Sequence, residues 1–141
     1  MKLTILKSVM NNIQETFSMY SYETGGVLLG NEGLISSFIF DEGIQHCDVS
    51  YIPDIKQLNT QIQSKMNTGF QVFGFVHSHF ERRTLSVADI IYAKKIMELN
   101  HVDHIRMFLY VIKDKTLFCY IVRKDTDLLE FHLETVPIKE I

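Results

Sequence analysis

Two runs in the last third of the chain, "IRMFLYVI" (105–112) and "TLFCYIV" (116–122), are almost continuously apolar and are separated by "KDK". A strand with one face in water alternates apolar and polar residues, whereas an unbroken run belongs inside a sheet buried on both faces. That demand points to a sheet with helices packed against it.

The remaining segments supply the layers. "KLTIL" reads as an opening strand. Val9, Ile13 and Phe17 recur at steps of four, with Met10 beside them, and predict an amphipathic helix over 8–19. "GGVLLG" and "LISSFIF" form a hairpin about the turn "NEG". From Pro53 to Asn67, Ile55, Leu58, Ile62 and Met66 keep helical spacing, with Pro53 suited to a first helical position. The strand 71–79, "QVFGFVHSH", follows. A helix then starts at Ser86 and runs to about Asn100, with Val87, Ile90, Ala93 and Met97 on one face. In "LLEFHLET", Leu129, Phe131 and Leu133 alternate with Glu130, His132 and Glu134, the pattern of a half-exposed edge strand. The order β-α-β-β-α-β-α-β-β-β predicts an α/β (α+β) fold, a central mixed sheet flanked by helices, as one domain over 1–141.

Composition narrows the function classes. With 46% apolar and 22% charged residues in 141, the chain can bury a sizeable core. A net charge of -3 provides no basic field for nucleic acid. No apolar run reaches membrane-spanning length and no signal peptide is legible, so a cytoplasmic protein is expected. Cys47 and Cys119 are far apart and form neither a disulfide framework nor a zinc ribbon.

Three stretches set metal-capable groups beside apolar elements: "YETGG" with Glu23, "HSH" with His77 and His79, and "SVAD" with Ser86 and Asp89. Residues two apart on a strand point the same way, so His77 and His79 project together from the strand's C-terminal end while Ser78 faces away. A catalytic zinc takes three N or O ligands and keeps one position for water. Asp89 is the natural third ligand, and Glu23 suits a proton shuttle. Each piece also has an ordinary reading. Ser86 and Asp89 form a helix-capping pattern, and Glu23 before Gly25 and Gly26 suits a solvated charge at a turn. His101 and His104 in "HVDH" fall at a helix–strand junction, where helix-end interactions and solvation account for them. His46, Cys47 and His132 read as structural or exposed.

Taken together, "ETGGVLLG", "HSH" and "SVAD" resemble the JAMM motif of the JAB/MPN metallopeptidases. The resemblance spans roughly residues 20–100 and is similar to small prokaryotic members. It implies one Zn2+ bound by His77, His79 and Asp89, with Glu23 as general acid/base and Ser86 helping to hold the oxyanion. It also implies an isopeptidase that cuts after the C-terminal glycine of ubiquitin, or of a ubiquitin-like or sulfur-carrier protein with a flexible tail. Such proteins accompany activating and conjugating enzymes, including those of anti-phage systems, or sulfur transfer; neither nucleic acid nor membrane is expected as a partner. Two departures stand out. Phe80 and Leu85 replace prolines common in the family, and "FERRTL" between His79 and Ser86 is one residue shorter, which leaves Glu81 as a conceivable substitute for Asp89. The alternatives are a non-catalytic MPN-type scaffold and a RadC-like JAB-domain protein. A zinc nucleobase deaminase would need H-x-E with P-C-x-x-C, and the sequence has neither.

Overall fold

A computed structural model describes residues 2–44, 46–47, 50–128 and 133–141. β1 (Leu3–Ile5) leads into α1 (Lys7–Ser18), followed by β2 (Gly25–Asn31) and β3 (Leu34–Asp41). A short pair, β4 (His46–Cys47) and β5 (Ser50–Tyr51), precedes α2 (Ile55–Met66). Then come β6 (Gln71–His79), α3 (Val87–Asn100), β7 (His104–Val111), β8 (Thr116–Arg123), β9 (Glu134–Thr135) and β10 (Ile138–Glu140).

Eight of these strands make one mixed sheet in the order β10-β1-β3-β2-β6-β7-β8-β9. The hairpin turn between β2 and β3 places Glu32 and Gly33 at positive φ, the conformation that matches strand twist in a tight hairpin. β6 runs antiparallel to β2 and parallel to β7, and the parallel step is the crossover through α3. The unbroken apolar run of β7 is explained by its two faces. Phe108 and Tyr110 pack on the α1 side with Phe17 and Val76. Met107, Leu109 and Val111 pack on the other side with Ile90, Ala93 and Met97 of α3. Phe17 is fully buried and is ringed by Phe38, Phe40 and Tyr110. Truncating such a ring costs about 3–5 kcal/mol.

The structure departs from the sequence expectation in several places. Pro53 precedes the helix instead of opening it, because Asp54 is the N-cap and its side chain accepts the Gln57 N–H. The Asp54 N–H in turn donates to Asp41, a bond proline could not make. In α2 only Leu58 is buried, while Ile55 and Met66 are about half exposed, since the helix covers just the strip of Val27, Leu29 and Ile39. On α3, Val87 is exposed where burial is expected. Finally, β10 pairs in parallel with β1, and three residues of no clear pattern carry it. The expected edge strand "LLEFHLET" is seen only at its end, where Glu134 and Thr135 pair with β8 at the sheet margin. Residues 129–132 of that stretch, His132 among them, lie outside the described residues. No helix among the described residues is long and apolar enough to cross a membrane.

Candidate metal centre

β6 is the holder of the site. Its last residues are buried on both faces, and His77 and His79 share the face that carries Leu109 and Val111 on the adjoining strand. Ser78 turns to the opposite face, where its Oγ accepts the Thr24 N–H at 3.1 Å and its own N–H donates to the Thr24 carbonyl at 2.9 Å. This clasp extends the β2–β6 pairing past Gly25↔His77 and brings Glu23 alongside His79.

α3 delivers the second carboxylate. Ser86 is the N-cap, and the capping box is complete: the Asp89 N–H donates to Ser86 Oγ at 3.1 Å, and the Ser86 N–H donates to Asp89 Oδ2 at 2.8 Å. The capping reading holds, and it is compatible with a ligand role, because the cap fixes the turn from which Asp89 reaches inward. Asp89 Oδ2 lies 3.0 Å from His77 Nε2 and 3.4 Å from His79 Nε2, and the two Nε2 atoms are 3.3 Å apart.

Those three edges are close to the ligand–ligand separation of a tetrahedral zinc site, about 3.3 Å for bonds of about 2.0–2.1 Å. Glu23 Oε1 stands farther off, 3.6 Å from His79 Nε2. Glu23, His77 and His79 also hold ligand atoms within 4.8 Å of one another. Either carboxylate could therefore complete a three-ligand set; the shorter distances to both imidazoles favour Asp89 and leave Glu23 beside the triangle. The donor set of two imidazoles and one carboxylate suits a borderline cation such as zinc.

The outer shell orients these groups. His79 Nδ1 lies 3.2 Å from the Arg82 carbonyl, which can only accept, so this contact puts the ring proton on Nδ1 and leaves the Nε2 lone pair facing the triangle. Burial raises the Glu23 carboxyl to about 7, with neighbouring Asp89 adding to the shift and His79 and Arg82 opposing it. For Asp89 burial also acts upward, but the two imidazoles and the Ser86 N–H outweigh it and hold the acid well below the usual range. Two carboxylates that both approach His79 thus have divergent acidities, an arrangement often found at functional sites.

The shortened loop does not dislodge Asp89. Leu85 is 2% exposed and anchors the loop in the α3 core, while Phe80 is 70% exposed. The Tyr120 hydroxyl donates to the Arg83 carbonyl, and the Arg83 side chain pairs with Asp114 at 2.7 Å. Glu81 is exposed and points to Lys113, 3.4 Å away, so it does not stand in for Asp89. Of the other histidines, His101 caps α3 in the left-handed conformation and His104 pairs with Asp103 at 2.7 Å. A large hollow of about 1030 Å³ lies beside them, apart from the centre. A smaller cavity of about 360 Å³ opens against His77, Ser86 and Asp89, walled by Tyr51, Pro53 and Tyr92. Tyr51 is the site residue that the sequence did not flag.

No protein-family model matches the sequence, and neither does any curated protein. Solved structures do match along nearly the whole chain. The solution structure of protein DSY2949 from Desulfitobacterium hafniense aligns with a TM-score of 0.77 at 14% identity, over 99% of this chain and 92% of that one. AF2198, a JAB1/MPN domain protein from Archaeoglobus fulgidus, aligns with a TM-score of 0.58 at 17% identity, over 99% and 98%. A structure described as a metalloprotease-like zinc site (JAMM) in the proteasome and signalosome gives a TM-score of 0.55 at 16% identity, over 100% and 99%. The fold is that of the JAB1/MPN structures, here with a group of metal-capable side chains at the end of its central strand.

Proposed function

We propose that the chain is a zinc-dependent isopeptidase or peptidase of the JAMM type. It would cut after the C-terminal glycine of ubiquitin, or of a ubiquitin-like or sulfur-carrier protein. The observation that carries this reading is the triangle of His77, His79 and Asp89 at zinc-ligand spacing, with a second, protonatable carboxylate beside it. His77, His79 and Asp89 would hold the ion, which when bound lowers the pKa of a coordinated water and polarises the scissile carbonyl.

The chain's own residues supply the rest. Glu23, whose carboxyl burial raises to about 7 in the metal-free chain, is placed beside the triangle to take a proton and return it to the leaving amine. Ser86 Oγ accepts the Asp89 N–H and so keeps its own proton free to donate to a developing oxyanion. A flexible substrate tail would lie extended against the site and gain main-chain hydrogen bonds. The partners that fit are cytoplasmic: a tailed carrier protein and the activating or conjugating enzymes of its pathway, whether anti-phage conjugation or sulfur transfer.

The test is a purified-protein assay on a ubiquitin-like fusion, with zinc content measured in parallel. Wild type is expected to hold one zinc and to cleave; Glu23→Gln is expected to hold zinc and lose at least about 100-fold in rate. Zinc-loaded Glu23→Gln that cleaves at the wild-type rate removes the mechanism. A zinc-free wild type removes the enzyme and favours a scaffold.

A further inference from the structure

Asp41 ends β3 as a carboxylate only 1% exposed, and the hydrolytic mechanism gives it no task. Its Oδ2 accepts the Tyr51 hydroxyl at 2.6 Å and the Asp54 N–H at 2.9 Å. Burial and then this carboxylate push the Tyr51 phenol well above its ordinary range, so the hydroxyl stays protonated and remains the donor. The ring behind that hydroxyl lies parallel to the His77 imidazole, with 7° between the planes and 6.5 Å between centroids.

Two glycines make the slot in which the ring sits. A Cβ on Gly25 would stand 2.4 Å from Tyr51 Cε2 and 2.5 Å from Cζ, and Gly25 is the strand partner of His77. Gly43, at φ +92°, would place a Cβ 3.3 Å from Tyr51 Cδ1. Any side chain at Gly25 would thus displace the ring or the strand. The two histidines also differ in support. His79 is oriented through Nδ1 by the Arg82 carbonyl, whereas among the hydrogen bonds of the described residues His77 has partners only at Nε2. That leaves the plane of His77 to packing: the His79 ring stands edge-on to it at 4.9 Å between centroids, and the Tyr51 ring is the one that lies parallel to it.

We propose that Tyr51 is a positioning residue for the metal centre, clamped at its hydroxyl by Asp41 and seated between Gly25 and Gly43, so that its ring fixes the plane of His77 and the aim of Nε2. The proposal rests on the reading of His77 as a metal ligand. It deepens that reading by assigning the ligand's support to the otherwise idle Asp41–Tyr51 pair. Partners that orient a metal-bound histidine typically change metal affinity about 10–100-fold when removed.

The experiment compares wild type with Tyr51→Ala, Tyr51→Phe and Asp41→Asn. Zinc affinity is measured by competition with a chromophoric chelator, the visible absorption of the Co2+-substituted protein is recorded, and the metal-free variants are crystallised. Tyr51→Ala is expected to weaken zinc binding about 10–100-fold, to alter the Co2+ bands and to turn the His77 ring. Tyr51→Phe and Asp41→Asn, which keep the ring but loosen the clamp, are expected to show smaller losses of affinity. Wild-type zinc affinity, an unchanged Co2+ spectrum and an unmoved His77 ring in Tyr51→Ala overturn the proposal. Should Tyr51→Ala fail to fold, the same three readings on Tyr51→Phe and Asp41→Asn decide it. A wild type that binds no metal sinks the zinc reading instead, while the His77 ring in the metal-free variants still judges the clamp.

Discussion

His79, the last residue of β6, and Glu23, two residues before β2, face each other with Nε2 3.6 Å from Oε1 and both side chains nearly removed from water. The contact favours the carboxylate, yet burial wins and the acid sits at about 7 instead of 4.5. In the metal-free protein the folded state therefore keeps a proton between pH 4.5 and about 7 that the unfolded chain releases. Stability contributed by this group is present below pH 4.5 and is lost as pH rises through that window. Glu23→Gln should stabilise the chelator-treated protein at pH 8 by roughly 2–3 kcal/mol and change little at pH 4.5. Urea unfolding at the two pH values measures the difference; an equal gain at both would assign it to something other than the proton.

Ser86 combines two tasks that can be separated by measurement. Losing its cap should cost about 1 kcal/mol in Ser86→Ala, read as a lower urea midpoint with an unchanged slope. Losing its hydroxyl from the oxyanion side should lower kcat on a fusion substrate by about 100-fold or more at full zinc loading. A stability loss without the rate loss would leave Ser86 as a cap alone.

Leu85 and Phe80 are the two residues that depart from the motif's usual prolines, and they should behave oppositely. Leu85 is buried in the α3 core, so Leu85→Ala should cost about 2–4 kcal/mol and weaken zinc binding through the loosened start of α3. Phe80 is largely in solvent, and Phe80→Ala should stay within about 0.5 kcal/mol of wild type. Thermal melts with and without zinc compare them, and a Phe80→Ala loss as large as that of Leu85→Ala would show that the loop is anchored elsewhere.

What could be read from the sequence was what local periodicity encodes. The two-residue spacing of His77 and His79, the capping pattern of Ser86 and Asp89 and the unbroken runs of β7 and β8 each carry their geometry within a few residues. The helical spacing of Ile55, Leu58, Ile62 and Met66 was equally plain, but it could not tell how little sheet α2 would cover. Asp41 and Tyr51 lie ten residues apart on segments whose approach is set by tertiary packing, so no spacing rule joins them. Gly25 reads in the sequence as the first residue of the strand "GGVLLG", and only the Tyr51 ring and the Val76 carbonyl against it show why a side chain is excluded. The pairing of Ile138–Glu140 with β1 was invisible for the same reason: the strand is too short to alternate, and its partner lies at the far end of the sequence.

That last pairing has a consequence for how the molecule is made. The Leu3 N–H donates to the Pro137 carbonyl on one side of β1, whose other side pairs with β3, while the Val136 N–H donates to the Cys119 carbonyl of β8. One short segment therefore joins the first strand and the eighth. A growing polypeptide that has not yet reached residue 138 carries β1 with an unpaired margin, open to strands of other chains. Pairing of β1 with β10 thus has to wait until residues 138–140 have been made, and the interval before it is the stage at which protection by a chaperone would matter most.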